Sequence, residues 1–186
     1  MKVRPAPLSG VYVIAPRVFA DPRGFFLETF RESLLQEAGI AHRFVQDNHS
    51  RSQRGTLRGL HFQRHQPQGK LVRVTRGRIY DVAVDIRRGS PGFGQWYGVE
   101  LDDVDHRMLY VPPDFAHGFM VLSDEADVAY KCTDYYHPQS EHGLSWNDPA
   151  LAITWPDAGV EPRLSARDAG FPCLADHPDL PVYRGA

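Results

Sequence analysis

Short apolar or alternating stretches, each cut off by Gly, Pro or Asp, recur along the whole chain and favour strands joined by turns over every other architecture. The stretches are Val11–Ala15, Phe25–Phe30, Phe44–Asn48, Leu57–Gln63, Lys70–Thr75, Arg78–Ile86, Gln95–Leu101, Arg107–Val111, His117–Leu122, Asp127–Thr133 and Gly143–Asn147. Between them stand DPRG, RG, PQG, RGR, GSPGFG, PPD and NDP. Arg78–Ile86 alternates most clearly: Tyr80, Val82, Val84 and Ile86 share one strand face, and Asp81, Asp85 and Arg87 share the other. Only Glu32–Ala38 reads as helix, with a second short turn near Ser165–Ala169. Ser165 and Asp168 there have capping-box spacing, with Asp in place of Glu or Gln. The pattern predicts an all-β protein, a sandwich or barrel, with a few short helices.

Composition narrows the class. Sixteen glycines and fifteen prolines beside 11% aromatic residues describe a turn-rich folded chain, not a disordered one. At 186 residues it is long enough for a substantial core, and a single domain over 1–186 is expected. The formal net charge is -2, without blocks of like charge, which argues against a nucleic-acid partner or a polybasic membrane anchor while leaving room for a small basic pocket. Cys132 and Cys173 are too few for a disulfide framework and lack metal-ligand spacing. The opening MKVRPAPLSG has no apolar signal region, and no run is long enough to span a bilayer, so a cytoplasmic globular protein is expected.

Two of nine histidines stand in suggestive surroundings: His61 in LRGLHFQRHQPQGKLVRV and His117 in VPPDFAHGFMVL. Each lies on an expected strand beside a glycine, where backbone can approach a ligand or bulge. Strict alternation puts Arg58 and His61 on opposite faces, so a pocket lined by both requires a bulge at Gly59. Metal binding of the cupin sort wants two histidines in an x-His-x-His-x arrangement. His61 is followed by Phe62 and Gln63, and His65 lies across an expected turn, so the second ligand is missing. Proton transfer beside a carbonyl asks instead for a base of near-neutral pKa, a cation at the developing enolate oxygen and an acid on the far side. His61, Lys70 and Tyr130 are candidates for those parts, with Asp168 holding the His61 tautomer. Against this, His61 and His117 also read as satisfied partly buried histidines, Tyr130 as a strand aromatic, Lys70 as surface and Asp168 as a turn cap. Arg23 and Arg58, each followed by Gly, suit a diphosphate by bidentate contact, whereas Arg73 and Arg76 read as surface charge. No Walker A or G-x-G-x-x-G stretch is present.

Taken together, DPRGFFLETF (21–30), QDNHSRSQRGTLRGLHFQ (46–63), QGKLVRVTRGRIYDVAVDIRRGSPGFGQW (68–96), VPPDFAHGFMVLSD (111–124), YKCTDYYHPQSEHGLSWNDP (130–149) and LSARDAGFPCL (164–174) closely resemble the dTDP-4-dehydrorhamnose 3,5-epimerase family. The resemblance implies a cupin-type β-jelly roll with a short helical C-terminal tail. It implies a homodimer with N-terminal strands exchanged, Phe19–Phe30 being the stretch expected to reach a partner, and neither metal nor organic cofactor. It implies inversion at C3 and C5 of dTDP-4-dehydro-6-deoxy-D-glucose, where the C4 ketone acidifies both hydrogens. His61 then matches the proton acceptor, Tyr130 the proton donor, Asp168 the partner of His61, and Lys70 a cation near the C4 oxygen. Arg23, Glu28, Gln46, Asp47, Asn48, Arg58, His117, Glu141 and Arg167 match substrate contacts, and Tyr136 matches the residue that stacks on thymine. Two departures are Arg167 where Lys is frequent and Asp114 where Gly is frequent. The first keeps charge with altered reach, and Asp tolerates the positive φ expected at the second. Relatives that act at C3 or C5 alone, a metal-dependent cupin enzyme and a non-catalytic sugar-nucleotide binder are the alternative readings. Retention of His61, Lys70, Tyr130 and Asp168 together speaks against the last.

Overall fold

The computed structural model describes residues 1–185. Thirteen strands form in order: β1 Lys2–Pro5, β2 Tyr12–Ala15, β3 Val18–Asp21, β4 Gly24–Leu27, β5 Gln46–Gln53, β6 Leu57–Gln63, β7 Lys70–Arg76, β8 Arg78–Asp85, β9 Trp96–Asp102, β10 Met108–Val111, β11 Phe115–Val121, β12 Glu125–Cys132 and β13 Glu141–Gly143. One short helix, α1 (Glu32–Glu37), lies between β4 and β5. The predominantly β expectation holds. Two strands were not anticipated: β1 (KVRP) and β3 (VFAD) are largely exposed and carry no apolar alternation. Conversely, Gly143–Asn147 is strand only at its first residue; the C-terminal tail holds short 3-10 turns at Asp168–Gly170 and Leu174–Asp176.

The strands pair antiparallel into a six-stranded sheet, β1-β2-β10-β7-β12-β5, a five-stranded sheet, β13-β6-β11-β8-β9, and a separate β3–β4 hairpin. Val72, Val74 and Val128 of the first sheet pack with Ile79, Ala83, Phe119 and Val121 of the second in one buried cluster, so the sheets lie face to face. Outside the six-stranded sheet, α1 places Leu35 against Ile14, Leu71 and Met108. Outside the five-stranded sheet, Leu144, Leu151, Leu174 and Leu180 cover Leu60, Phe62, Val82 and Val84. The central strands β6, β11 and β8 are therefore covered on both sides. Asp81 and Asp85, on the polar face of β8, are fully buried as a result, one carrying its charge into the inter-sheet space and the other at the strand end.

β6 breaks alternation as a shared Arg58–His61 face requires. Opposite it, His117 of β11 pairs with His61 and Phe119 pairs with Arg58, so two steps along β11 match three along β6. The extra residue brings Arg58 and His61 to the same side. Gly59 has φ 131°, and a Cβ there would sit 2.6 Å from the Gly118 Cα. Only glycine fits. Asp114 takes φ 66°, so the turn that glycine usually makes survives with Asp.

Candidate active site

At one end of the inter-sheet space the apolar side chains give way to polar ones and enclose a cavity of about 420 Å³. Gln46, Asn48, Lys70 and Tyr130 line it from the six-stranded sheet; Arg58, His61, His117 and Glu141 line it from the five-stranded sheet, with Tyr136 and Arg167 at the mouth. Ten of the anticipated site residues are thus brought together. His49, Ser50, Gln63, Gln68 and Phe119 join them without having been anticipated.

Asp168 stands behind His61. Its Oδ1 lies 2.8 Å from His61 Nε2, and its Oδ2 accepts the Gly59 N–H at 3.4 Å, so one carboxylate braces both the imidazole and the bulge beside it. The Ser165 hydroxyl accepts the Asp168 N–H at 3.0 Å, which is the backbone half of the anticipated cap. Burial alone pushes the Asp168 carboxyl up, but the His61 hydrogen bond and charge outweigh it and hold the group below its ordinary value. As an ionised acceptor, Asp168 accepts the hydrogen bond from Nε2–H and leaves the His61 Nδ1 lone pair free. The edge of Phe171 closes on His61 with ring centroids 5.7 Å apart.

Tyr130 stands on the opposite wall. Burial, with Cys132 adding to it, raises the phenol pKa, so the hydroxyl keeps its proton at neutral pH. Burial lowers Lys70 from the ordinary ammonium value, with Cys132, Glu141 and Asp81 opposing the shift. At the mouth Tyr136 donates its phenol to Glu141 Oε2 at 2.6 Å, and Arg167 Nη1 reaches the same oxygen at 2.6 Å. Burial raises Glu141, and those two hydrogen bonds with the His61 charge bring it net below the usual range. Gln46 Oε1 accepts the Tyr136 N–H at 2.9 Å, and Gln63 Oε1 accepts that of His137 at 2.8 Å, fixing the loop that presents Tyr136. Arg58 donates to Ser52 Oγ at 2.9 Å and points along the cavity wall.

Three anticipated residues lie elsewhere. Asp47 alternates away from Gln46 and Asn48 into a neighbouring groove, where Lys131 Nζ holds it at 2.9 Å. Arg23 is 89% exposed and bonded to Asp21 at 2.6 Å, while Glu28 pairs with Arg31 at 2.6 Å. The β3–β4 hairpin carries Arg23 away from its own chain's cavity, with Phe25 and Phe26 61% and 70% exposed. Among the described residues no group of three or more His, Cys, Asp or Glu is arranged to hold a metal ion, and no helix is long and apolar enough to cross a membrane.

A carboxylate-braced imidazole and a protonated phenol on opposite walls, with a half-buried ammonium between the sheets, make an acid–base site able to move protons at carbon beside a carbonyl. The comparisons with known proteins make that class specific. The family model for dTDP-4-dehydrorhamnose 3,5-epimerase matches residues 5–176. A dTDP-4-dehydrorhamnose 3,5-epimerase of Methanothermobacter thermautotrophicus is 52% identical over 92% of this chain and 93% of its own. The crystal structure of a dTDP-6-deoxy-D-glucose-3,5-epimerase from Legionella pneumophila, in complex with dTDP-4-keto-L-rhamnose, superposes with a TM-score of 0.95 at 51% identity, covering 99% of each chain. A dTDP-4-dehydrorhamnose 3-epimerase of Streptomyces niveus is 44% identical over 98% of this chain and 90% of its own. The chain belongs to the dTDP-4-dehydrorhamnose 3,5-epimerase family, and it is an enzyme.

Proposed function

We propose that the enzyme inverts C3 and C5 of dTDP-4-dehydro-6-deoxy-D-glucose to give dTDP-4-dehydro-L-rhamnose by proton transfer alone, on a cupin-type jelly roll. The observation that carries the reading is the placement of His61, braced by Asp168, and Tyr130 on opposing sheets around one cavity. His61 takes the hydrogen from the carbon next to the C4 ketone through Nδ1. Negative charge moves onto the C4 oxygen, where the Lys70 ammonium stabilises it. Tyr130 then delivers a proton to the opposite face of that carbon, which inverts it. Because C3 and C5 both flank C4, one base and one acid serve both centres. Asp168 stabilises the imidazolium that forms and keeps the productive tautomer, the role a carboxylate has in other His-based sites.

Arg58 and Arg167 hold the diphosphate, Tyr136 stacks on thymine, and Gln46, Asn48, His117 and Glu141 bind the sugar nucleotide. Arg23 and Glu28 complete the pocket from the other subunit of a homodimer. This accounts for their distance from their own cavity and for the exposed phenyl rings of the hairpin that bears Arg23. Each chain forms a single domain.

The Streptomyces niveus relative supports a second reading, inversion at C3 only. Proton NMR of dTDP-4-dehydro-6-deoxy-D-glucose in D2O with the enzyme separates the two. Deuterium entering both C3 and C5, and ceasing in His61→Ala, is the expected result. Deuterium at one carbon establishes the single-centre reading, and none from folded protein defeats both.

A further inference from the structure

A second histidine–carboxylate pair lies beside the first. His117 and His61 are register partners on β11 and β6, and Asp81 of β8 sits with Oδ1 2.8 Å from His117 Nε2. Asp81 is wholly buried, and its Oδ2 has no hydrogen-bond partner. The contrast with Asp85, four residues along the same face and equally buried, is instructive. Both Asp85 oxygens are satisfied, Oδ1 by the Arg87 N–H and guanidinium and Oδ2 by Arg87 and Ser90. Asp85 holds a turn together. A carboxylate kept half-satisfied in the interior costs stability and calls for a role outside the turn-building that occupies its neighbour.

Resting on the proton-transfer reading, we infer that Asp81 is a positioning residue: it holds His117 with Nδ1 left for the bound sugar, and it sets negative charge in the sheet that faces Lys70. Asp81 occupies Nε2, so Nδ1 is the only ring nitrogen His117 can offer a ligand. The groups facing His117 are His61 on β6, Asp81 on β8, Glu141 on β13 of the same sheet and, across the cavity, Lys70 and Tyr130. When His61 receives a proton, the cavity gains a second cation, on the wall opposite Lys70. Of the carboxylates that act on Lys70, Glu141 is already tied to Tyr136 and Arg167, and Asp81 keeps a free oxygen. Losing the Asp81 charge leaves the burial of Lys70 less opposed, so its ammonium gives up its proton at lower pH.

The test uses the full chain and the isosteric Asp81→Asn. In the 15N-labelled wild type, with His117→Gln as assignment control, neutral His117 carries its proton on Nε2. In Asp81→Asn, kcat falls at least about tenfold with KM within about threefold, and the alkaline limb of the kcat profile moves to lower pH. An unmoved limb with reduced kcat makes Asp81 merely structural and overturns the inference, as does wild-type kcat in the variant. A wild-type His117 protonated on Nδ1 overturns it even if Asp81→Asn does not fold. Wild-type protein that exchanges no deuterium defeats the proposed reaction instead, and the His117 tautomer still decides whether Asp81 holds the ring.

Discussion

In the proposed reaction His61 acts through Nδ1, because Asp168 occupies Nε2, and this makes base and acid separable by isotope. With Tyr130→Phe the base still removes and returns hydrogen on its own face. Deuterium should then wash into the substrate while inverted product falls by about 10²–10⁴-fold, the range of a single positioned proton donor. His61→Ala should lose exchange and product together. Exchange lost equally in both variants would contradict the division of labour. The Asp168–His61 pairing was readable from LSARDAG and LRGLHF once a shared pocket was supposed. Asp81 was not. Alternation in Arg78–Ile86 separates its carboxylates from its valines, but periodicity does not say which face turns to solvent, and here neither does.

β6 shows how far local sequence reaches. Arg58 and His61 fall on one face only if Gly59 adds a residue, and the register supplies that residue. What it abuts, Gly118 of another strand, is a tertiary fact beyond any local pattern. Gly59→Ala should therefore destabilise the fold by roughly 1–3 kcal/mol through overpacking and strained backbone. It should depress activity further by turning His61, as thermal melts beside turnover will show; unchanged melting would mean the bulge relaxes freely. β1 and β3 escaped detection for the opposite reason: they bury little, so selection for alternation is weak there.

The C-terminal segment is a second element with a pH signature. His177 is buried against Phe62 and His142, ring centroids 5.2 and 5.5 Å away, while Arg64 holds Asp179 at 2.6 Å and Arg88 reaches the His177 carbonyl at 3.0 Å. Burial, then His142, lowers the His177 pKa below the ordinary 6.5, with Asp179 opposing. The released segment thus binds a proton more readily than the docked one. Docking is at full strength above about pH 6.5 and weakens as pH falls below that value until the docked ring itself titrates. The protection factors of the Leu174–Tyr183 amides, exchange being corrected for its intrinsic pH dependence, should fall between pH 7.5 and 5.5 in the wild type and stay level in His177→Phe.

At the scale of the molecule, a pocket completed by a partner hairpin predicts rescue between two dead chains. Where His61→Ala and Arg23→Ala subunits exchange, one of the two sites in each mixed dimer has both residues intact. A symmetric dimer assorting at random should regain about a quarter of wild-type turnover. Self-contained sites would regain none. Neither the pairing nor its geometry can be read from local pattern, although DPRGFF places three large apolar or cationic side chains on one short hairpin where their own chain leaves them mostly exposed.

His61, the proposed base, stands on one sheet and Tyr130, the proposed acid, on the other, and Val72, Val74, Val128, Ile79, Ala83 and Phe119 fill the space between those same sheets. The apolar packing is therefore the spacer of a caliper whose jaws are His61 and Tyr130. The gap across the hexose, out of the roughly 10 Å that separates stacked sheets, is gauged by side-chain volume far from any atom of the sugar. A methylene added to or taken from that filling resets the jaws without altering a group that touches substrate.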